Sequence, residues 1–151
     1  MDEPTQRLPA DAKGYWRAVG SLQGIGLVLG AVVFGGSLGG LAWLAFLGAV
    51  VATVVLSAVV PVLRWRRWRY EVRDEEIDLV RGAFVVRRTL IPIRRVQHVD
   101  TESGPLQESF GLATVTFHTA AGGVEIPALL KAEADAVRAR VASLARTRDD
   151  T

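Results

Sequence analysis

The sequence predicts an α+β membrane protein: an N-terminal two-helix transmembrane hairpin, then a small antiparallel β domain closed by a C-terminal helix. Three observations carry this expectation. Residues 18–63 contain no ionisable side chain, and that run is more than twice the roughly 20 apolar residues that one bilayer crossing needs. From Trp68 onward apolar and polar residues alternate with a period of two, as on half-buried strands. From Leu130 the apolar residues return at spacings of four and three, which lines them along one face of a helix.

In chain order, residues 1–14 mix Asp2, Glu3 and Asp11 with Arg7 and Lys13, carry Pro4 and Pro9, and read as a short flexible tail. They do not read as a cleavable leader, because the acids are out of place and no small-residue cleavage site follows. The hairpin is expected over 15–67. Its middle, Phe34-Gly35-Gly36-Ser37-Leu38-Gly39-Gly40, is a helix-breaking cluster that separates two spans. A buried helix pair in a soluble core would carry a polar stripe, and only Ser21, Gln23, Ser37, Thr53 and Ser57 are there to make one. Gly20 with Gly24, Gly26 with Gly30, Ala45 with Ala49 and Gly48 with Ala52 repeat at a spacing of four. Small residues so spaced let helix backbones approach closely in lipid, between the two spans or at a dimer face.

Four of the eighteen basic residues, Arg64, Arg66, Arg67 and Arg69, crowd the end of the second span, and the connecting loop has none. Arginine excess marks the cytoplasmic side. Both termini are therefore expected in the cytoplasm of a multi-pass cell-membrane protein. Trp65 and Trp68 interleave with these arginines. That pattern elsewhere suggests a nucleic-acid surface, but directly after a span it reads as an interfacial anchor made of Arg64, Trp65, Arg66, Arg67, Trp68 and Arg69, with Tyr70 at the same depth.

The domain is expected over 68–147, with a polar tail at 148–151. Strands are predicted where Tyr70 and Val72, then Ile77 and Leu79, alternate with charged residues, over 83–90, and over 96–101. Pro92 argues for an edge or bend. Pro105 at a first helical position, Leu106 and Phe110 four apart, and Gly111 make one short helix. A strand over 112–120 places Ala113, Val115 and Phe117 on one face and Thr114, Thr116 and His118 on the other; Ala121-Gly122-Gly123 turns it into 124–126. The final helix presents Leu130, Ala134, Val137, Val141 and Leu144.

The order of these features resembles the YdbS-like bacterial pleckstrin-homology (PH) domain membrane proteins. The resemblance rests on the Arg/Trp-rich exit, Tyr-Glu-Val-Arg-Asp-Glu-Glu-Ile from Tyr70, and Ile-Pro-Ile-Arg-Arg-Val-Gln-His-Val-Asp from Ile91. Its most specific part is Gly-Pro-Leu-Gln from Gly104 followed by Gly-Leu-Ala-Thr-Val from Gly111. It implies a PH-like curved antiparallel barrel or sheet capped by the C-terminal helix, often encoded beside a larger relative with several such domains. It implies no catalytic residue and no cofactor.

Chemistry-bearing residues are few. Without cysteine there is no thiolate nucleophile and no Cys-based zinc site. His98 and Asp100 share a strand face, and with His118 could hold a metal only if two strands aligned; they read instead as solvated polar positions. Arg87, Arg88, Arg94 and Arg95 form a second basic group, a candidate contact for anionic lipid or an acidic partner. The expected function is a non-enzymatic, membrane-anchored interaction domain, a subunit of a bacterial envelope assembly, with anionic-lipid recognition as the alternative.

Overall fold

The computed structural model of the chain describes the backbone of residues 2–149 and the side chains of 2–147. The expected C-terminal tail at 148–151 falls partly outside these residues; within them the last helix continues to Asp149.

Apolar residues without turn signals make the first long helix, α1 (Asp11–Gly35). The glycine cluster ends it: the 3-10 stretch Gly36–Leu41 contains Gly39 at φ 57 and ψ −130, outside helical space. Helix α2 (Ala42–Val54) follows, then a π turn over Val55–Val59 and helix α3 (Val60–Arg67). Pro61 accounts for the π turn, because its ring lacks an N–H and crowds the carbonyl four residues back, so the helix widens there. Gly20 and Gly24 of α1 are buried, against the backbone of Leu56 and Ser57 and the side chain of Thr53 respectively. Away from that contact the segments display bare apolar side chains: Val33 and Phe34 are each 71% exposed and Trp43 63%.

The segment before α1 differs from the flexible tail expected over 1–14. Gln6 and Tyr70 exchange backbone N–H···O bonds of 3.1 and 2.9 Å, and Leu8 and Ala12 are buried. The reason lies in the sheet: strand β1 (Arg69–Val72) is an edge whose backbone groups need partners, and the N-terminal segment covers it.

Beyond α3, β1, β2 (Glu76–Arg81) and β3 (Arg87–Pro92) form one antiparallel sheet. A 3-10 turn, Ile93–Arg95, leads to β4 (Val96–Glu102), the short helix α4 (Pro105–Ser109), β5 (Leu112–Thr119), β6 (Gly122–Leu130) and helix α5 (Lys131–Asp149). β4, β5 and β6 form a second antiparallel sheet. Among the described residues no strand of one sheet pairs with a strand of the other, so the sheets do not close into the barrel that the resemblance implied. The break falls where Pro92, which has no N–H to give to a ladder, ends β3 and the chain turns.

Inward faces of both sheets meet in one core that includes Trp68, Tyr70, Ile77, Leu79, Ile91, Val115, Phe117 and Ile126. Ala134, Val137 and Val141 of α5 seal it, with Leu144 partly buried, while Leu130 belongs to β6. Gln107 fixes α4: its Oε1 accepts from the Gly104 N–H at 3.1 Å and its Nε2 donates to Thr114 Oγ1 at 2.8 Å.

Burial, reinforced by the Glu133 carboxylate, pushes the Tyr70 phenol up to about 12 from its ordinary value of 10. The folded state thus favours the neutral ring, and that contribution is complete below pH 10 and lost as pH rises toward 12. Two units correspond to about 3 kcal/mol. The stability of the detergent-solubilised protein is expected to fall across pH 10–12, and Tyr70→Phe to flatten that fall. An unchanged slope in the variant would place the titration elsewhere.

Candidate functional site

Where α3 ends, Trp68 adopts extended dihedrals (φ −70, ψ 123) after the eight helical residues of α3, so neighbouring side chains part company. The Arg64 guanidinium lies over the Trp16 ring at 4.4 Å. Trp65 donates Nε1 to the carbonyls of Leu8 and Pro9, both at 3.0 Å, and its ring carries the Lys13 ammonium at 4.2 Å. Arg66 and Arg67 are exposed. Arg69 donates to the carbonyls of Arg66 at 2.7 Å and Trp68 at 2.8 Å, satisfying acceptors at the helix end. Trp68 and Tyr70 are corrections: expected at headgroup depth, they are 2% and 4% exposed, in the core. They stand two apart at the start of the first strand, and the period of two that begins at Trp68 turns both inward.

The second basic group does not form one face. Arg88 grips Asp78, a fully buried carboxylate, through Nε–Oδ1 at 3.0 Å and Nη2–Oδ2 at 2.5 Å. Arg73 adds a third contact to Asp78 at 3.4 Å and also pairs with Glu71 and Glu76. Both arginines donate to the Asp2 carbonyl, tying down the N-terminal segment. A buried carboxylate needs such partners, so Arg88 serves the fold. Its neighbour Arg87 points the other way, into a cleft of about 270 Å³ that Arg64, Arg81, Val85 and Glu125 also line. Arg94 and Arg95, exposed on the 3-10 turn, border a separate groove with Leu90 and Val124.

The alignment that a metal would have required does occur. His98 pairs with His118 across β4 and β5, Asp100 Oδ2 lies 3.1 Å from His118 Nε2 and 3.7 Å from His98 Nε2, and the three donor atoms fall within 4.8 Å of one another. The imidazoles, however, are stacked, with centroids 4.2 Å apart and planes 13° from parallel. In-plane lone pairs on parallel rings run side by side, whereas zinc or nickel needs them to converge from different directions at about 2 Å. In this arrangement the cluster is an exposed polar contact between strands.

Sequence reasoning missed two features. Asp78 reads as one more outward residue of an alternating strand, yet it is fully buried and held by Arg73 and Arg88, which also donate to the Asp2 carbonyl. The strand expected over 83–90 does not begin at residue 83. Instead β2 and β3 pair Arg81 with Arg87 and leave Gly82 to Val86 as the turn, with Phe84 69% exposed, Val85 74% and Val86 53%. Gly82, at φ 133, makes the turn possible, since a side chain there would run into the Val85 carbonyl.

Comparison with known proteins agrees with this architecture. The profile of the bacterial PH domain family matches residues 23–145. UPF0699 transmembrane protein YdbS of Bacillus subtilis (strain 168) is 48% identical over 106 residues, 69% of this chain and 67% of that protein. UPF0699 transmembrane protein YdbT of the same organism is 35% identical over 89 residues, 58% of this chain but 18% of that much longer protein. No solved structure matches. Apolar N-terminal helices, the two-sheet domain with its closing helix, and these matches converge: the chain belongs to the bacterial PH domain family, as a YdbS-like membrane protein.

Proposed function

We propose that the chain is a non-enzymatic, multi-pass membrane anchor and interaction domain. Residues 15–67 cross the bilayer as a helical hairpin, both termini are cytoplasmic, and the domain over 68–147 presents its surface to another protein of the envelope. The observation that carries the anchor is the bare apolar surface of α1 and α2 beside a domain whose own core is already filled. Such a surface is stable in lipid and a liability in water. The arginines after Leu63, with none between the two apolar segments, support the orientation. The partner class we favour is a longer relative with several such domains. Anionic-lipid recognition stays as a second reading because Arg64, Arg81 and Arg87 share one cleft.

Topology and partner are tested in native membranes. A reporter fused after Thr151 is expected to be active in the cytoplasm and one inserted at Ser37 outside; the reverse pattern would end the hairpin proposal. Mild-detergent purification of the full chain is expected to retain a second membrane protein stoichiometrically. Purification without one, together with salt-sensitive binding to anionic vesicles, would favour the lipid reading.

A further inference from the structure

We infer that the turn between β2 and β3, with Phe84, Val85 and Val86 at its tip, inserts into the cytoplasmic interface of the same bilayer that holds the anchor. The inference rests on the reading of residues 15–67 as that anchor. Outside residues 11–67, the exposed large apolar residues among those described are these three and Leu90. Three in a row at a turn tip are neither strand nor core, so water is a poor environment for them.

Position supplies the occupant. Arg67 Nη1 donates to the Phe84 carbonyl at 3.4 Å, which joins the turn to the last residue of α3. Arg67 follows the last uncharged residue of the run, Leu63, by four helical positions, an axial distance of about 6 Å at 1.5 Å per residue. The headgroup layer is of similar thickness, roughly 5–8 Å on each side. A turn hung from Arg67 therefore lies at headgroup level, with its apolar tip free to reach the acyl boundary.

Charge agrees with position. Arg81 and Arg87 stand directly opposite each other across the ladder at the base of the turn. Like charges so placed repel, and Glu125 is the acid that lines their cleft, beside a third cation, Arg64. Anionic phosphates at the base of an inserted tip would relieve that repulsion, as the polar faces of interfacial segments do. The turn would then be a second point of attachment, fixing the rotation of the domain about the end of α3 and so which of its faces a cytoplasmic partner meets.

The absence of cysteine makes single-site labelling direct. Full-length Val85→Cys, and separately Phe84→Cys, carries a nitroxide in nanodiscs of phosphatidylglycerol and phosphatidylethanolamine with no other protein present. Leu27→Cys reports the anchor and Ala121→Cys, on the turn between β5 and β6, reports water. The label at 85 or 84 is expected to lose collisions with a water-soluble nickel relaxant and gain them with oxygen, as at 27 and unlike at 121. A label at both 84 and 85 as accessible to nickel as that at 121, with 27 protected, would overturn the insertion alone and leave the tip to a protein. Nickel access at 27 as well would overturn the anchor reading and the insertion together.

Discussion

Phe117→Ala is expected to destabilise the domain by about 3–5 kcal/mol, the usual cost of emptying a buried aromatic site. Phe117 is fully buried, on the middle strand of its sheet between Val99 and Val124, and belongs to the cluster that Val137 and Val141 of α5 seal. With neighbours on both sides and a helix above, the site has little room to collapse onto the void. Against a total stability of about 5–15 kcal/mol for a domain, the loss is a large fraction. Thr116→Ala, one residue earlier on the opposite, partly exposed face, is expected to be nearly neutral. Thermal or denaturant unfolding of the full-length protein in detergent separates the two. Equal losses would mean that β5 presents the other face to the core.

That contrast was legible in the sequence because period-two patterning on a strand with one buried face leaves a single register. The same logic located β1, β2 and β4, and apolar spacings of four and three located α5. Alternation failed where distant residues converge on a face the pattern marked as polar: Asp78 reads as solvated, yet it is buried, and Arg73 and Arg88, which also hold the Asp2 carbonyl, neutralise it. Interactions 71 and 86 residues apart, such as those to the Asp2 carbonyl, leave no local periodicity. Trp68 shows a different limit. Two local signals competed there, an aromatic residue beside arginines at a span's end and the first position of an alternating strand, and burial in the core won. At Phe84 to Val86 strand propensity misled, because the burial of Ile77 opposite Ile91 and of Leu79 opposite Thr89 fixes the register and forces the turn to open at Arg81 and Arg87. The basic group at 87–95 was legible as charge but not as a site, since alternation and one buried acid divide it.

Four of the six glycines of α1 are expected to part into two classes, although in the sequence Gly20 with Gly24 and Gly26 with Gly30 carry the same spacing. A Cβ at Gly20 would meet the carbonyl and backbone of Leu56, in the π turn that Pro61 imposes, and backbone held in a helix cannot step aside. A Cβ at Gly24 would meet Thr53, whose hydroxyl donates to the Ala49 carbonyl at 2.8 Å and so fixes its rotamer. At Gly26 and Gly30 nothing lies within 4 Å. Gly20→Ala and Gly24→Ala are therefore expected to cost at least about 1–3 kcal/mol by overpacking the contact between α1 and the second apolar segment. Gly26→Ala and Gly30→Ala are expected to be neutral or to stabilise by about 0.5–1 kcal/mol, because alanine restricts the unfolded backbone and glycine does not. Unfolding in mixed detergent and dodecyl sulfate micelles reads the sign directly. Similar shifts at all four positions would mean that the spacing reflects only the composition of an apolar helix, and that α1 is not held against the backbone of Leu56.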